Sequence, residues 1–169
     1  MKRYGFAFLL VWLLLPALSA QASDAFFKGG FMLKPSDADL SNRWLVGFGS
    51  DYVIAQQFSL GFECQTAYYS DSSFTPTVRY VPLDLFANIK YKAPFGGARP
   101  FVGGGLGLIS TFFSAGKSDY ISDFGFHIVG GVELGSEEGK ALLLELQGEQ
   151  NLSGNNAPFT IKFFAGIKF

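Results

Sequence analysis

The sequence predicts an all-β chain of eight antiparallel strands closed on themselves as a barrel. Three observations carry that expectation. Apolar and polar residues alternate over eight separate segments, turn-forming stretches of a few residues divide those segments, and glycine and aromatic residues are abundant together. Of 169 residues, 21 are Gly, 20 Phe and 7 Tyr. Aromatics favour pleated strands, and glycine permits tight turns and close strand packing.

Ahead of the first strand, Lys2 and Arg3 precede an apolar run over residues 6–15 that stops at Pro16, and Ala20-Gln21-Ala22 places small residues where a signal peptidase reads them. The expectation is a secretory signal peptide over residues 1–22, cleaved after Ala22, and one domain over residues 23–169. The run is shorter than the ~20 apolar residues that a helical membrane span requires, and no later run approaches that length. No cysteine stands near the cleavage point, which counts against a lipid-anchored lipoprotein. Without Lys2 and Arg3 the 13 basic residues become 11 against 14 acidic ones, a net of −3. That mild acidity counts against nucleic acid as a partner. The one cysteine, Cys64, has no intramolecular partner and cannot build a metal site alone. Its expected role is that of a small apolar side chain on a strand.

The first two strands, over residues 26–34 and 44–50, are short and Gly-rich. In the third, Phe58, Leu60, Phe62 and Cys64 oppose Gln57, Ser59, Glu63 and Gln65. The fourth sets Val81, Leu83, Leu85, Ala87, Ile89 and Tyr91 against Asp84, Asn88, Lys90 and Lys92. The fifth, over residues 101–113, is again Gly-rich. In the sixth, Phe124, Phe126, Ile128, Val132 and Leu134 alternate with Asp123, Gly125, His127, Val129 and Glu133. In the seventh, Leu142, Leu144 and Leu146 alternate with Leu143, Glu145, Gln147 and Glu149. The eighth puts Phe159, Ile161, Phe163, Ala165, Ile167 and Phe169 on one face, and Thr160, Lys162, Phe164, Gly166 and Lys168 on the other. A period of two means strand. Turns are expected at 35–42, 51–56, 71–75, 93–99, 114–119, 135–139 and 151–157. The strand count is even, and neighbours in sequence can pair as hairpins.

Eight two-faced strands could close with the apolar face inside, as a soluble calyx, or with it outside, against lipid. Three features select the second. The apolar faces are bulky and carry aromatics towards the strand ends, as at Trp44, Tyr68, Tyr91 and Phe112, in the manner of a lipid-facing band with interfacial girdles. The opposite faces set glycines such as Gly103, Gly105 and Gly107 beside charges, which suits a narrow interior better than a soluble surface. The chain also closes an alternating strand on Phe169. The predicted architecture is therefore an eight-stranded antiparallel up-and-down transmembrane β-barrel.

At this point the residues resemble a known group, the small eight-stranded outer-membrane barrels related to the opacity proteins and outer-membrane protein X. The likeness covers residues 23–169. Its most specific element is the last strand, where Phe159, Ile161, Phe163, Ile167 and Phe169 are similar to the C-terminal signal that the group presents to the outer-membrane insertion machinery. Tyr80-Val-Pro-Leu-Asp-Leu-Phe-Ala-Asn-Ile-Lys-Tyr91 and Pro100-Phe-Val-Gly-Gly-Gly-Leu-Gly-Leu108 look like the group's fourth and fifth strands. The resemblance implies a bacterial outer-membrane location of the Gram-negative type. It also implies lipid, lipopolysaccharide and the insertion machinery as partners, a monomer, and no cofactor. The segments expected on the outside are short, whereas adhesive members of the group carry long ones, so an adhesive role is not implied.

Chemistry, if present, would centre on His127, the one histidine. Asp123 shares its strand face, but four steps of ~3.3 Å put the two about 13 Å apart. The lipid A deacylases of the same fold keep a Ser close to their His in a short motif. Here Val129 stands two residues on and Ser122 lies on the other face, so no catalytic residue carries over. The expected role of His127 is a hydrogen-bonded interior histidine. With Lys28, Glu63, Asp84, Lys90, Asp123, Glu133, Glu145, Glu149, Lys162 and Lys168, it is expected in a polar network that fills the lumen. Eight strands leave an interior just wide enough for side chains, and buried charges must pair. The run Gly103-Gly-Gly-Leu-Gly107 lacks the third glycine of a dinucleotide fingerprint, and Glu137-Glu138 reads as a solvated turn rather than a metal site. The favoured function is a non-enzymatic integral barrel contributing to envelope integrity or surface interaction. The alternatives are an enzyme acting on lipid A and a narrow solute conduit.

Overall fold

Each strand follows from the two-residue alternation, and the backbone satisfies its own hydrogen bonds by pairing all the way round. The computed structural model describes residues 24–33, 43–71, 77–93, 95–114, 118–135, 140–152 and 159–169. The leader expected over residues 1–22 and most of the expected connecting loops lie outside these. The strands are β1 (Asp24–Leu33), β2 (Trp44–Ala55), β3 (Phe58–Ala67), β4 (Tyr69–Asp71), β5 (Val78–Lys92), β6 (Ala98–Ser114), β7 (Ser118–Gly135), β8 (Ala141–Asn151) and β9 (Thr160–Lys168). All pairings are antiparallel. β1 pairs β9, and β3 and β4 both pair β5, so the sheet closes. β3 and β4 are two pieces of one wall position interrupted at Tyr68, which makes eight staves. Among the described residues no helix is long and apolar enough to cross a membrane. A closed barrel is the other structure that leaves no backbone group unsatisfied in lipid.

β2 departs from the sequence expectation. Residues 51–56 were expected to turn, yet β2 runs on through Ala55, with an irregularity between Val53 and Ala55, and the turn is reduced to Gln56 and Gln57. Tyr52, Val53 and Ile54 are strand formers, and Asp51 pairs across to Asp24 and Gly61. At the next turn on this end, Gly96 adopts φ +59°, a left-handed conformation that glycine takes at no steric cost.

The two faces separate cleanly. Outward-facing Phe27, Val46, Leu60, Ile89, Val102, Leu106, Ile128, Leu144 and Phe163 are exposed. Aromatics mark the ends of this belt. Trp44 and Tyr68 lie towards one end, and Phe95, Phe169 and the Phe58–Tyr91 pair (centroids 5.3 Å apart) towards the other, with a stacked Phe31–Phe163 pair (5.2 Å) on the belt between them. Water would not tolerate so continuous an apolar surface, whereas a bilayer requires it. Cys64 has outward parity but is buried, between its register neighbours Phe48 and Leu85.

Inward-facing residues fill the interior by pairing large with small. Lys28 lies opposite Gly47 on β2 and Gly166 on β9, Lys90 opposite Gly103, Phe86 opposite Gly107 and His127 opposite Gly105. A Cβ at Gly166 would sit 2.7 Å from Lys28 Cβ. One at Gly105 would collide with Asn88 Oδ1 and lie 2.9 Å from His127 Nε2. The glycines are the space into which the interior side chains pack.

The staves differ in height. β6 and β7 pair as far as Ser114 and Ser118, while the ladder between β7 and β8 begins only at Gly125. β4, β5, β6 and β7 therefore form a wall that rises beyond β1, β2, β8 and β9 at the end opposite the termini.

Candidate functional site: the barrel lumen

Two polar clusters and two apolar layers stack along the lumen. In the middle cluster two lysines each bridge two carboxylates. Lys28 pairs with Glu63 and Glu145, and all three side chains are enclosed. Lys162 Nζ donates to Asp84 Oδ2 at 2.7 Å, Glu149 Oε2 at 2.6 Å and Gln65 Oε1 at 2.9 Å. Amides join the two bridges. Gln65 donates to Gln147 Oε1 at 2.6 Å and to Glu63, while Gln147 donates to Glu63 at 2.9 Å and to Glu145 at 2.8 Å. Asn88 donates to Glu63 at 3.4 Å.

His127 borders this cluster and is 1% exposed. Its Nε2 donates to Asn88 Oδ1 at 2.6 Å, and its ring stacks on Phe86 with centroids 4.1 Å apart. Its Nδ1 has no hydrogen-bond partner. This imidazole is clamped between an amide and an aromatic ring, with lumen-facing residues around it.

Below lies an apolar layer of Phe26, Phe101, Val129 and Leu143. Lys28 and Lys90 approach the Phe26 ring at 5.5 and 4.8 Å, so cation–π contacts link the layer to charge above and below it. Beyond it, at the end carrying both termini, Lys92 Nζ lies 2.8 Å from Asp51 and 3.0 Å from Glu133. Lys90 reaches Asp51 at 3.3 Å. Lys168 reaches Glu133 at 3.0 Å and Asp24 at 2.7 Å, and Arg99 Nε lies 3.6 Å from Glu133. At the opposite end Met32, Leu45, Ala67 and Phe164 form a second apolar layer, with Tyr69 packed on it.

The structure therefore brings Lys28, Glu63, Asp84, His127, Glu145, Glu149 and Lys162 into one cluster and places Lys90, Glu133 and Lys168 in another. Asp123 joins neither. It is half-buried on a stretch of β7 beyond the described ladder with β8, and among the described residues no interior cation pairs with it. Sequence reasoning missed Gln65, Gln147 and Asn88 as the connectors, because counting charges passes over amides. It also missed Asp51, Lys92, Arg99 and Asp24. Asn88 and Lys92 had the right parity, but only the register shows that Asp51, Lys92 and Glu133 converge. Among the described residues no group of three or more His, Cys, Asp or Glu could hold a metal ion.

Solved structures share this closed eight-stave architecture. Neisserial surface protein A (NspA) is 14% identical, with 86% of this chain and 93% of that one covered and a TM-score of 0.64. The chain has the fold of the small outer-membrane β-barrels. Ail, the attachment invasion locus protein of Yersinia pestis, is similar to this barrel at 11% identity, 86% and 98% coverage and a TM-score of 0.53. The outer membrane enzyme PagL is similar at 13% identity, 87% and 99% coverage and a TM-score of 0.52. No family model and no curated protein matches the sequence. The apolar belt and the shared fold together place this barrel as an integral outer-membrane protein. The fold hosts both enzymes and other proteins, so activity must be argued from the lumen and the rim.

Proposed function

We propose that this protein is a non-enzymatic outer-membrane barrel, a closed plug rather than a conduit, that contributes to envelope integrity. The observation that carries the reading is the interior. Two ion-pair clusters separated by the layer of Phe26, Phe101, Val129 and Leu143 leave charged side chains bonded to one another and interpose an apolar section between them. An ion crossing the lumen would have to break these bridges and pass a section with no polar partner. His127 supports the non-enzymatic reading, because a base that worked on lipid would have to reach the membrane edge, whereas this one is enclosed and bonded to Asn88. The barrel is read as a monomer in contact with outer-membrane lipid and lipopolysaccharide, with Phe159, Ile161, Phe163, Ile167 and Phe169 serving as the insertion signal. Both termini face the periplasm, as an even number of staves allows.

The test has three parts. Purified barrel in planar bilayers should give no steady conductance, and lipid A mass should not change on expression. A strain lacking the protein should become more permeable to large hydrophobic antibiotics. Steady single-channel conductance or a lipid A mass shift would overturn the reading. Epitope insertions at Lys117 and Glu138 check orientation: on intact cells only the first should be labelled.

Surface interaction is favoured by one specific feature, the raised wall of β4 to β7. Beyond the described ladder with β8, which begins at Gly125, Tyr120 and Ile121 are exposed on this wall. An exposed apolar patch at the rim suits contact with a partner.

A further inference from the structure

At the end that carries both termini, a cavity of about 400 Å3 opens between the β2–β3 turn and the starts of β1 and β6. Among its walls are Gln56, Gln57, Ser59, Lys92, Arg99 and Asp24. Ser59 is 1% exposed, and its hydroxyl has no hydrogen-bond partner. A hydroxyl buried in that state costs free energy unless something bonds to it. Lys92 sits against Asp51 and Glu133, which leaves one of its three N–H donors over. Arg99 meets Glu133 through Nε alone at 3.6 Å, so the forked N–H donors of its guanidinium are unused, and its side chain is 26% exposed. The single carboxylate in the wall, Asp24, is already held by Lys168 at 2.7 Å. What remains to face a visitor is donor capacity: an ammonium, a guanidinium fork and two turn amides, with the enclosed Ser59 hydroxyl just behind them. With the buried partners counted, Lys90, Lys92, Arg99 and Lys168 stand against Asp24, Asp51 and Glu133, four cations to three carboxylates, so this end keeps one positive charge over.

We propose that this cavity binds an oxyanion, a carboxylate or phosphate group, with Arg99 as the bidentate anchor, Lys92 as the second charge and Ser59 donating from the floor. The planar fork of arginine matches two oxygens of one group, which a halide cannot supply. The volume falls in the range of small-molecule sites, about 300–1,000 Å3, so the group belongs to a small molecule or to a short chain end rather than to a bare ion. The site itself stands on geometry alone. Its supply from the periplasm rests on the orientation proposed above, which the tag insertions test separately.

The experiment is a side-chain and backbone NMR titration of the full chain, purified from membranes into detergent micelles, with inorganic phosphate, acetate and glycylglycine against chloride at matched ionic strength. The three oxyanions should shift the Arg99 side-chain and Ser59 amide signals saturably, and chloride should not. Arg99→Gln should weaken binding about tenfold, Ser59→Ala about threefold, and Arg99→Lys by an intermediate factor. Lys140→Gln, an exposed cation at the same end, should change it little. A gel mobility that differs before and after boiling, as it does for the unsubstituted barrel, shows that each variant is folded. Tighter binding of glycylglycine than of acetate would identify a peptide end as the source, and preference for phosphate would identify a phosphorylated small molecule. Chloride-like responses to all three, or equal affinity in Arg99→Gln, would overturn the site.

Discussion

The two ion-pair clusters of the lumen use the same chemistry in different surroundings. The middle cluster holds Lys28 and Lys162 among Glu63, Asp84, Glu145 and Glu149, closed above and below by apolar layers. The cluster at the terminal end holds Lys90, Lys92, Lys168 and Arg99 among Asp24, Asp51 and Glu133, and it adjoins an open cavity. A charge in the first has no water to fall back on when a partner is lost, while in the second Arg99 and Asp24, with side chains 26% and 29% exposed, do. Position along the barrel axis, rather than the number of bridges, sets what each pair is worth.

The sharpest way to break this contrast is Lys28→Ala, which strands Glu63 and Glu145 together. It should cost about 3–5 kcal/mol, read by urea unfolding in vesicles through the fluorescence of Trp44, because an uncompensated buried charge is left behind. Adding Glu63→Gln and Glu145→Gln should restore most of the loss, and no recovery would mean that packing rather than charge holds the middle cluster. On the lipid side of the neighbouring strand, Phe163→Lys should cost roughly 2–4 kcal/mol, and Ile167→Lys, nearer the end of the belt, should cost less. Outer-membrane yield and the same unfolding assay check this pair, and equal effects would contradict the placement of the belt. Gly105→Ala should cost about 1–3 kcal/mol by overpacking against Asn88 and His127, with a displaced His127 ring signal in NMR spectra. The smallest effect is expected at the open end. Arg99→Gln should alter stability by no more than about 1 kcal/mol, since its pair with Glu133 is long and partly solvated.

These contrasts also show where the sequence was legible. The alternation in β9, with Lys162 and Lys168 on one side and Phe163 and Ile167 on the other, gave both the strand and its faces, because side-chain direction is a local property of an extended backbone. The same parity put Lys28, Glu63, Glu145 and His127 inside. Grouping is not local. Whether Glu145 meets Lys28 or Lys162 depends on register across separate strands, and no single strand encodes it. Asp123 makes the point in reverse: it has the parity of His127, yet it stands beyond the end of β8 in register, so the same pattern ends outside the network. Asp51 was hidden differently, since turn-forming composition around it masked a strand that tertiary pairing extends to Ala55.

The fit of large residues against glycines carries a consequence for inheritance. Gly47 has little room to grow while a lysine occupies position 28, and at Gly105 and Gly166 a side chain would press on the carbonyls of Ala87 and Phe27 as well as on the facing side chains, so the adjoining stave would have to move too. Each site is therefore yoked to another on the adjoining stave. Drift in this lineage should proceed by exchange, a bulky residue shrinking on one stave as its small neighbour enlarges. The volume of each pair would then be conserved more faithfully than the identity of either member.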